Sequence, residues 1–139
     1  MKWRLAHEHD TDALAWYGVN KFPPGMSFEE WRDYVALYIR AGLAAVCWSK
    51  GRICGLLMGR PVASAEDGPP RDHRLDAAGR VLWVEAVALD GPSMKDALGW
   101  ALAHLRERGF LFDRIAFNRW PKTPEARAYP LAQFMEKLA

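Results

Sequence analysis

The chain has 139 residues, half of them hydrophobic, enough for a single domain with one two- or three-layer core. Its 19 basic and 17 acidic side chains are interspersed and leave a formal net charge of +2, so no basic stripe of the kind that tracks a nucleic-acid backbone is present. Nowhere do roughly 18 uncharged apolar residues run together, and Met1 to Glu8 carries no apolar signal segment, which predicts a cytoplasmic chain without a membrane partner.

In chain order, Trp3 to Ala6 predicts a short first strand. Asp10-Thr11-Asp12 offers capping oxygens to a helix carrying Ala13, Leu14, Trp16 and Tyr17, which Phe22-Pro23-Pro24-Gly25 breaks. Ser27 followed by Glu30 has capping-box spacing, and Phe28, Trp31, Val35, Tyr38 and Ile39 lie close to one face of the helix that follows. Gly42 is its natural stop. Leu43 to Ser49 and Arg52 to Arg60 are apolar runs separated by Lys50-Gly51, the pattern of a tight β-hairpin. That register sets Cys47 opposite Cys54, where a disulfide is geometrically conceivable, but a reducing compartment predicts two free thiols.

Pro61 to Arg80 is rich in Pro, Gly, Asp and Arg without a period and reads as a long connection, either a lid or slack. Val81 to Leu89 is a buried strand that passes through Asp90-Gly91-Pro92 into an amphipathic run from Met94 to Arg108. Ala97, Leu98, Ala101, Leu102 and Leu105 form that helix's buried stripe, and Gly109 ends it. Asp113 to Asn118 predicts another strand. Pro121 and Pro124 predict an irregular link to a last helix that starts near Pro130 and covers Leu131, Phe134, Met135 and Leu138.

The strand-to-helix junction after Leu89 points unpaired backbone amides and the positive end of a helix dipole at one spot, an arrangement that holds phosphate in many folds. The order β-α-α-β-β-β-α-β-α resembles the GNAT superfamily of acyl-CoA-dependent N-acyltransferases. Trp3-Arg4-Leu5-Ala6 through Asp12-Ala13-Leu14-Ala15 is similar to that family's opening strand and helix, Gly51-Arg52-Ile53-Cys54-Gly55 to its hairpin, and Glu85-Ala86-Val87-Ala88-Leu89-Asp90 to its fourth strand.

The resemblance implies an α/β (α+β) fold over residues 1–139, with a mixed, mostly antiparallel central sheet and a shortened C-terminus. It implies acetyl-CoA or another acyl-CoA as cofactor and a small-molecule or protein amine as acceptor. The family's pyrophosphate motif, Arg-x-x-Gly-x-Gly/Ala, falls on Met94-Lys95-Asp96-Ala97-Leu98-Gly99, where Gly99 matches and Lys95 is the nearby cation. By that alignment Val87, Leu89, Ser93, Met94, Lys95, Asp96, Ala97 and Gly99 are the cofactor-binding set, with Asn118 beside the cofactor arm. Ser93 with Asp96 equally makes an N-cap, and Asn118 equally serves a turn. A family tyrosine near the start of the last helix protonates the departing thiolate. The matching run here is Met135-Glu136-Lys137-Leu138-Ala139, whose thioether has no proton to give, so Tyr129 is the substitute.

Glu85 is the one carboxylate in an otherwise apolar strand and is the candidate base for deprotonating the amine, directly or through a water. The plain alternative is a strand residue facing solvent or paired with an arginine. His7 and His9 around Glu8 give two metal ligands at best, and two cysteines cannot make a four-ligand zinc site, so no metal is expected. His73, between Asp72 and Arg74, either contacts a substrate or is solvated, and His104 reads as a surface residue. Seven tryptophans are many for this length, and Trp100, which breaks the polar face of its helix, is the candidate contact of a homodimer.

Two functions fit this reading. One is a small N-acyltransferase. The other is a GNAT-like protein without catalysis, acting in binding or assembly and encoded by a phage or other mobile element, for which the substitutions at Met94, Ala97 and Met135 speak. A narrower resemblance is to toxin-activating lysine acyltransferases, which use a His and an Asp; Glu85 stands near that carboxylate, and the sequence offers no counterpart for the histidine.

Overall fold

A computed structural model describes residues 1–68, 73–119 and 123–138, with the side chains of 119 and 123–125 left out. In chain order the elements are β1 (Lys2–Leu5), α1 (Thr11–Lys21), α2 (Phe28–Arg40), β2 (Ala44–Ser49), β3 (Arg52–Val62), β4 (Val81–Leu89), α3 (Met94–Glu107), β5 (Arg114–Arg119), β6 (Thr123–Pro130) and α4 (Leu131–Lys137). The strands form one sheet in the order β1-β2-β3-β4-β5-β6. The pairs β1/β2, β2/β3 and β5/β6 are antiparallel, while β4/β5 is parallel, as the intervening crossover helix α3 requires. This is the mixed, mostly antiparallel α/β architecture expected from the sequence.

The element order needs one correction: the segment read as an irregular link contains the strand β6. Pro124 and Pro130 argue against a strand that must donate on both sides, but β6 ends the sheet, where a strand carries a single ladder. Its register sets Pro130 against Arg114 and Tyr129 against Ile115.

Internal contacts divide the chain into two compact units, Met1–Met58 with Ala86–Ser93 and Gly59–Glu85 with Met94–Ala139. In the first, the capping box forms as expected. Ser27 Oγ accepts from Glu30 N at 3.1 Å, and Ser27 N donates to Glu30 Oε1 at 3.1 Å. Helix α2 buries Trp31, Val35, Tyr38 and Ile39 along the expected face, with Phe28 half-buried. The expected capping of α1 by Asp10 is not observed. Both Asp10 oxygens go instead to Arg4, at 2.7 and 2.9 Å, and Oδ2 also accepts from His7 N, because a bidentate guanidinium outbids a single helix amide for a buried carboxylate.

The β2/β3 hairpin turns through Lys50 (φ 53°) and Gly51 (φ 76°), the two left-handed residues of a type I′ turn. A bulge shifts its register, so Cys47 faces Gly55 and Trp48 faces Ile53. Cys54 therefore does not sit opposite Cys47; its Sγ donates to the Cys47 carbonyl at 3.5 Å, and both cysteines are buried free thiols.

The second unit packs Val62, Val81, Trp83 and Ala116 into a buried cluster with Ala65, Ala126 and Ala128 against it. Helix α3 buries Ala97, Leu98 and Leu105, while Ala101 and Leu102 are half-buried, so its apolar stripe is narrower than expected. Gly109 N donates to Arg106 O and Phe110 N to Leu105 O, both at 2.9 Å, closing the helix where its glycine predicted. In α4, none of the described residues is buried.

The stretch read as Pro61 to Arg80 without structure is partly ordered. Strand β3 runs on through Pro61 and Val62, Ala65–Asp67 makes a 3-10 turn, and Asp76 N donates to Pro61 O at 2.9 Å. At Gly68 a Cβ would collide with the Trp83 ring, so the chain there lies flat on the indole.

Candidate functional site

Strand β3 delivers Arg60 into the second unit with its side chain 1% exposed. A guanidinium so deeply buried needs acceptors for its donors, and it has them. Nε donates to Arg74 O at 2.9 Å, Nη1 to Glu85 Oε2 at 3.0 Å, and Nη2 to the carbonyls of Asp67 at 3.1 Å and Gly68 at 2.6 Å. One arginine thus fastens the β3–β4 connection at three carbonyls and meets the charge of Glu85.

Glu85 and Trp83 are two apart on β4 and so share a face, and Trp83 Nε1 donates to Glu85 Oε2 at 2.5 Å. The other oxygen, Oε1, lies 3.8 Å from His73 Nδ1. The His73 and Glu85 side chains are 18% and 16% exposed, neither sealed nor fully solvated. His73 sits at φ 50°, a left-handed backbone that a non-glycine residue adopts only when its surroundings hold it there. Of the readings open for Glu85, pairing with an arginine describes its geometry; His73 lies beside it rather than out in solvent. The sequence did carry a signal: Arg60 and Glu85 are opposite charges inside two apolar runs.

In the first unit, Val87, Leu89 and Ser93 are half-buried, and Asp90 is exposed at the end of β4. Asp90 accepts from Lys21 Nζ at 3.0 Å and from Tyr17 OH at 2.5 Å, which hold its carboxyl below the ordinary range, while burial and then Asp90 push the Tyr17 phenol up. Gly91 follows at φ 112°. Through Tyr17 and Lys21, Asp90 ties helix α1 to the exit of β4.

In the second unit, Met94 is half-buried, Lys95 and Asp96 are exposed, and Ala97 is fully buried. The Ala97 methyl is therefore spent in the core rather than at the surface. Gly99 is exposed, and a Cβ there would meet nothing within 4 Å. The start of α3 carries the positive end of the helix dipole. With Lys95 exposed there it suits an anionic diphosphate, and Asp96, also exposed, opposes it.

Asn118 is exposed and lies inside β5, one residue before its end. Tyr129 is half-buried near the end of β6, two residues before α4 begins, stacked at 5.4 Å on Phe117 and tilted at 6.2 Å against Phe134. Met135 is half-buried in α4. The rings of His7 and His9 stack at 5.5 Å. His104, expected on the surface, is half-buried, because its ring stacks flat on half-buried Trp100 at 5.2 Å; its Nε2 has no hydrogen-bond partner among the described residues. Among the described residues no helix is long and apolar enough to cross a membrane.

No protein-family model and no curated protein matches the sequence. Solved structures do. The GNAT-like decarboxylase GphF, in complex with isobutyryl-CoA, matches with TM-score 0.63 at 20% identity over 88% of this chain and 69% of that one. The loading GNATL domain of CurA from Lyngbya majuscula matches with TM-score 0.63 at 10% identity, over 99% and 74%. The polyamine N acetyltransferase of Drosophila melanogaster, which forms N-acetylagmatine, matches with TM-score 0.58 at 15% identity, over 84% and 75%. At these identities the likeness speaks for architecture, since one scaffold hosts many chemistries. The fold of this chain is the GNAT fold.

Proposed function

We propose that this chain binds an acyl-CoA and transfers the acyl group to an amine, on a small molecule or a protein. The observation that carries the reading is the β4–α3 connection of a GNAT fold, with Lys95 exposed beside the first-turn amides of α3 and Ala97 turned into the core. The start of α3, with Lys95 and Gly99, is the candidate diphosphate site, and Val87, Leu89, Ser93 and Asn118 are the further residues that the resemblance offers for the cofactor. When bound, the acyl-CoA supplies a thioester carbonyl activated for attack. Glu85 is the carboxylate that serves amine deprotonation, and Tyr129 is the phenol that returns a proton. The homodimer contact through Trp100 belongs to the same reading, and light scattering of the native chain and of Trp100→Ala tests it.

A thermal-shift titration with acetyl-CoA and longer acyl-CoAs tests the binding. A ligand that binds only the folded state at about 100 times its Kd adds about 2.7 kcal/mol, and the melting temperature must rise. No shift at millimolar acyl-CoA defeats the transferase. It would favour a second reading, a GNAT-fold binding or assembly component, for which Asp96 at the start of α3 and the engagement of Glu85 by Arg60 and Trp83 speak.

A further inference from the structure

We infer that His73 is the group that takes the proton from the acceptor amine, and that Glu85 is the positioning residue that orients it. The inference rests on the acyl-transfer reading and changes who carries the proton. Glu85 is turned by two contacts on Oε2, from Arg60 Nη1 at 3.0 Å and Trp83 Nε1 at 2.5 Å, and Oε1 is directed at His73 Nδ1 at 3.8 Å. The residue after His73 is fastened from below, because Arg74 O accepts from the buried Arg60 Nε at 2.9 Å. The same arginine therefore aims the carboxylate and anchors the loop that carries the imidazole.

A carboxylate facing Nδ1 favours the tautomer with its proton on that nitrogen, which makes Nε2 the basic atom. The distance of 3.8 Å lies just beyond a direct hydrogen bond, and a small ring rotation or one bridging water closes it, as catalytic contacts in free enzymes commonly require. At 18% exposure His73 can be reached from solvent, while Arg60, at 1%, cannot. The left-handed φ of 50° is the cost of holding a histidine at this point of the connection.

The proton step balances without any further reagent. An N–H bond of the acceptor ammonium breaks, Nε2–H forms, and the nitrogen lone pair is freed for attack on the thioester carbonyl. As the C–N bond forms and the C–S bond breaks, the electron pair leaves with sulfur, which takes the Tyr129 phenol proton; the second nitrogen proton restores the phenol, and the imidazolium returns its proton to solvent.

The test begins with nitrogen-15 NMR of the imidazoles in the full chain without any acyl-CoA, with His73 assigned by its loss in His73→Asn. At a pH where the ring is neutral, the expected spectrum has the proton on Nδ1, and Glu85→Gln removes that preference while Glu85→Asp retains part of it. A proton on Nε2, or a tautomer indifferent to Glu85→Gln, overturns the inference. In turnover, His73→Asn and His73→Gln are expected to lose about 10²- to 10⁴-fold with the acetyl-CoA thermal shift unchanged. Full turnover in both variants, with acetyl-CoA still bound, defeats His73 alone. Absence of an acetyl-CoA shift in the wild-type chain defeats the transferase reading, and the proton-accepting role falls with it.

Discussion

Arg60 Nη1 donates to Glu85 Oε2 at 3.0 Å, from a side chain 1% exposed to one 16% exposed. Removing the guanidinium takes one donor from Glu85, which keeps that of Trp83 Nε1, and one each from the carbonyls of Asp67, Gly68 and Arg74. Arg60→Met is expected to cost about 3–5 kcal/mol in urea unfolding, because a largely desolvated carboxylate loses its counter-charge. Arg60→Lys recovers little of it, since an ammonium cannot reproduce a planar fork spread over four acceptors. A loss under about 1 kcal/mol in Arg60→Met would mean that the loop carbonyls find water instead.

Two glycine substitutions are expected to act in opposite directions. At Gly68 an added methyl meets the Trp83 ring, and Gly68→Ala should cost about 1–3 kcal/mol through displaced packing. Gly99 lies in α3, exposed, with nothing within 4 Å of an added Cβ, so Gly99→Ala should stabilise by about 0.5–1 kcal/mol through helix propensity. Thermal melts of the two proteins, measured side by side, check both signs.

Acid sensitivity should trace in part to Asp10. The hydrogen bonds from Arg4, supported by that from His7 N, hold its folded carboxyl below its usual value of 3.8, against the opposing effect of burial. A lowered folded pKa stabilises fully above the unfolded value, and that contribution drains away as pH falls through the folded one. Urea midpoints are therefore expected to decline from just above the usual aspartate value downward, and Asp10→Asn should flatten that decline while lowering stability at neutral pH. An unchanged slope in the variant would assign the acid limb to other carboxylates.

Helix α2 depends on its first turn. Ser27→Ala removes the oxygen that accepts from Glu30 N and should cost about 1 kcal/mol, with faster amide exchange confined to the start of the helix. Uniform exchange across α2 would show that tertiary packing alone sets its stability.

Much of the fold was legible along the chain because it depends on neighbours a few residues apart. The Ser27–Glu30 capping box, the Lys50-Gly51 turn, the run from β4 into α3 and the stop at Gly109 are each set by local hydrogen bonding and backbone freedom, and each formed as read. The chain itself thus determined the helices, the hairpin and the element order up to β5. Three features were decided only in three dimensions. Strand β6 exists because its prolines lie at the end of the sheet, where a missing N–H costs no ladder bond. The bulge near Cys47 shifted the hairpin by a residue and moved Cys54 out of line with it. The meeting of Arg60, His73 and Glu85 joins two strands and the connection between them, 25 residues from the arginine to the glutamate, and no local propensity encodes it. Charge pairing of that kind depends on sheet register and on which loop carbonyls face the buried guanidinium, and those are properties of the assembled core.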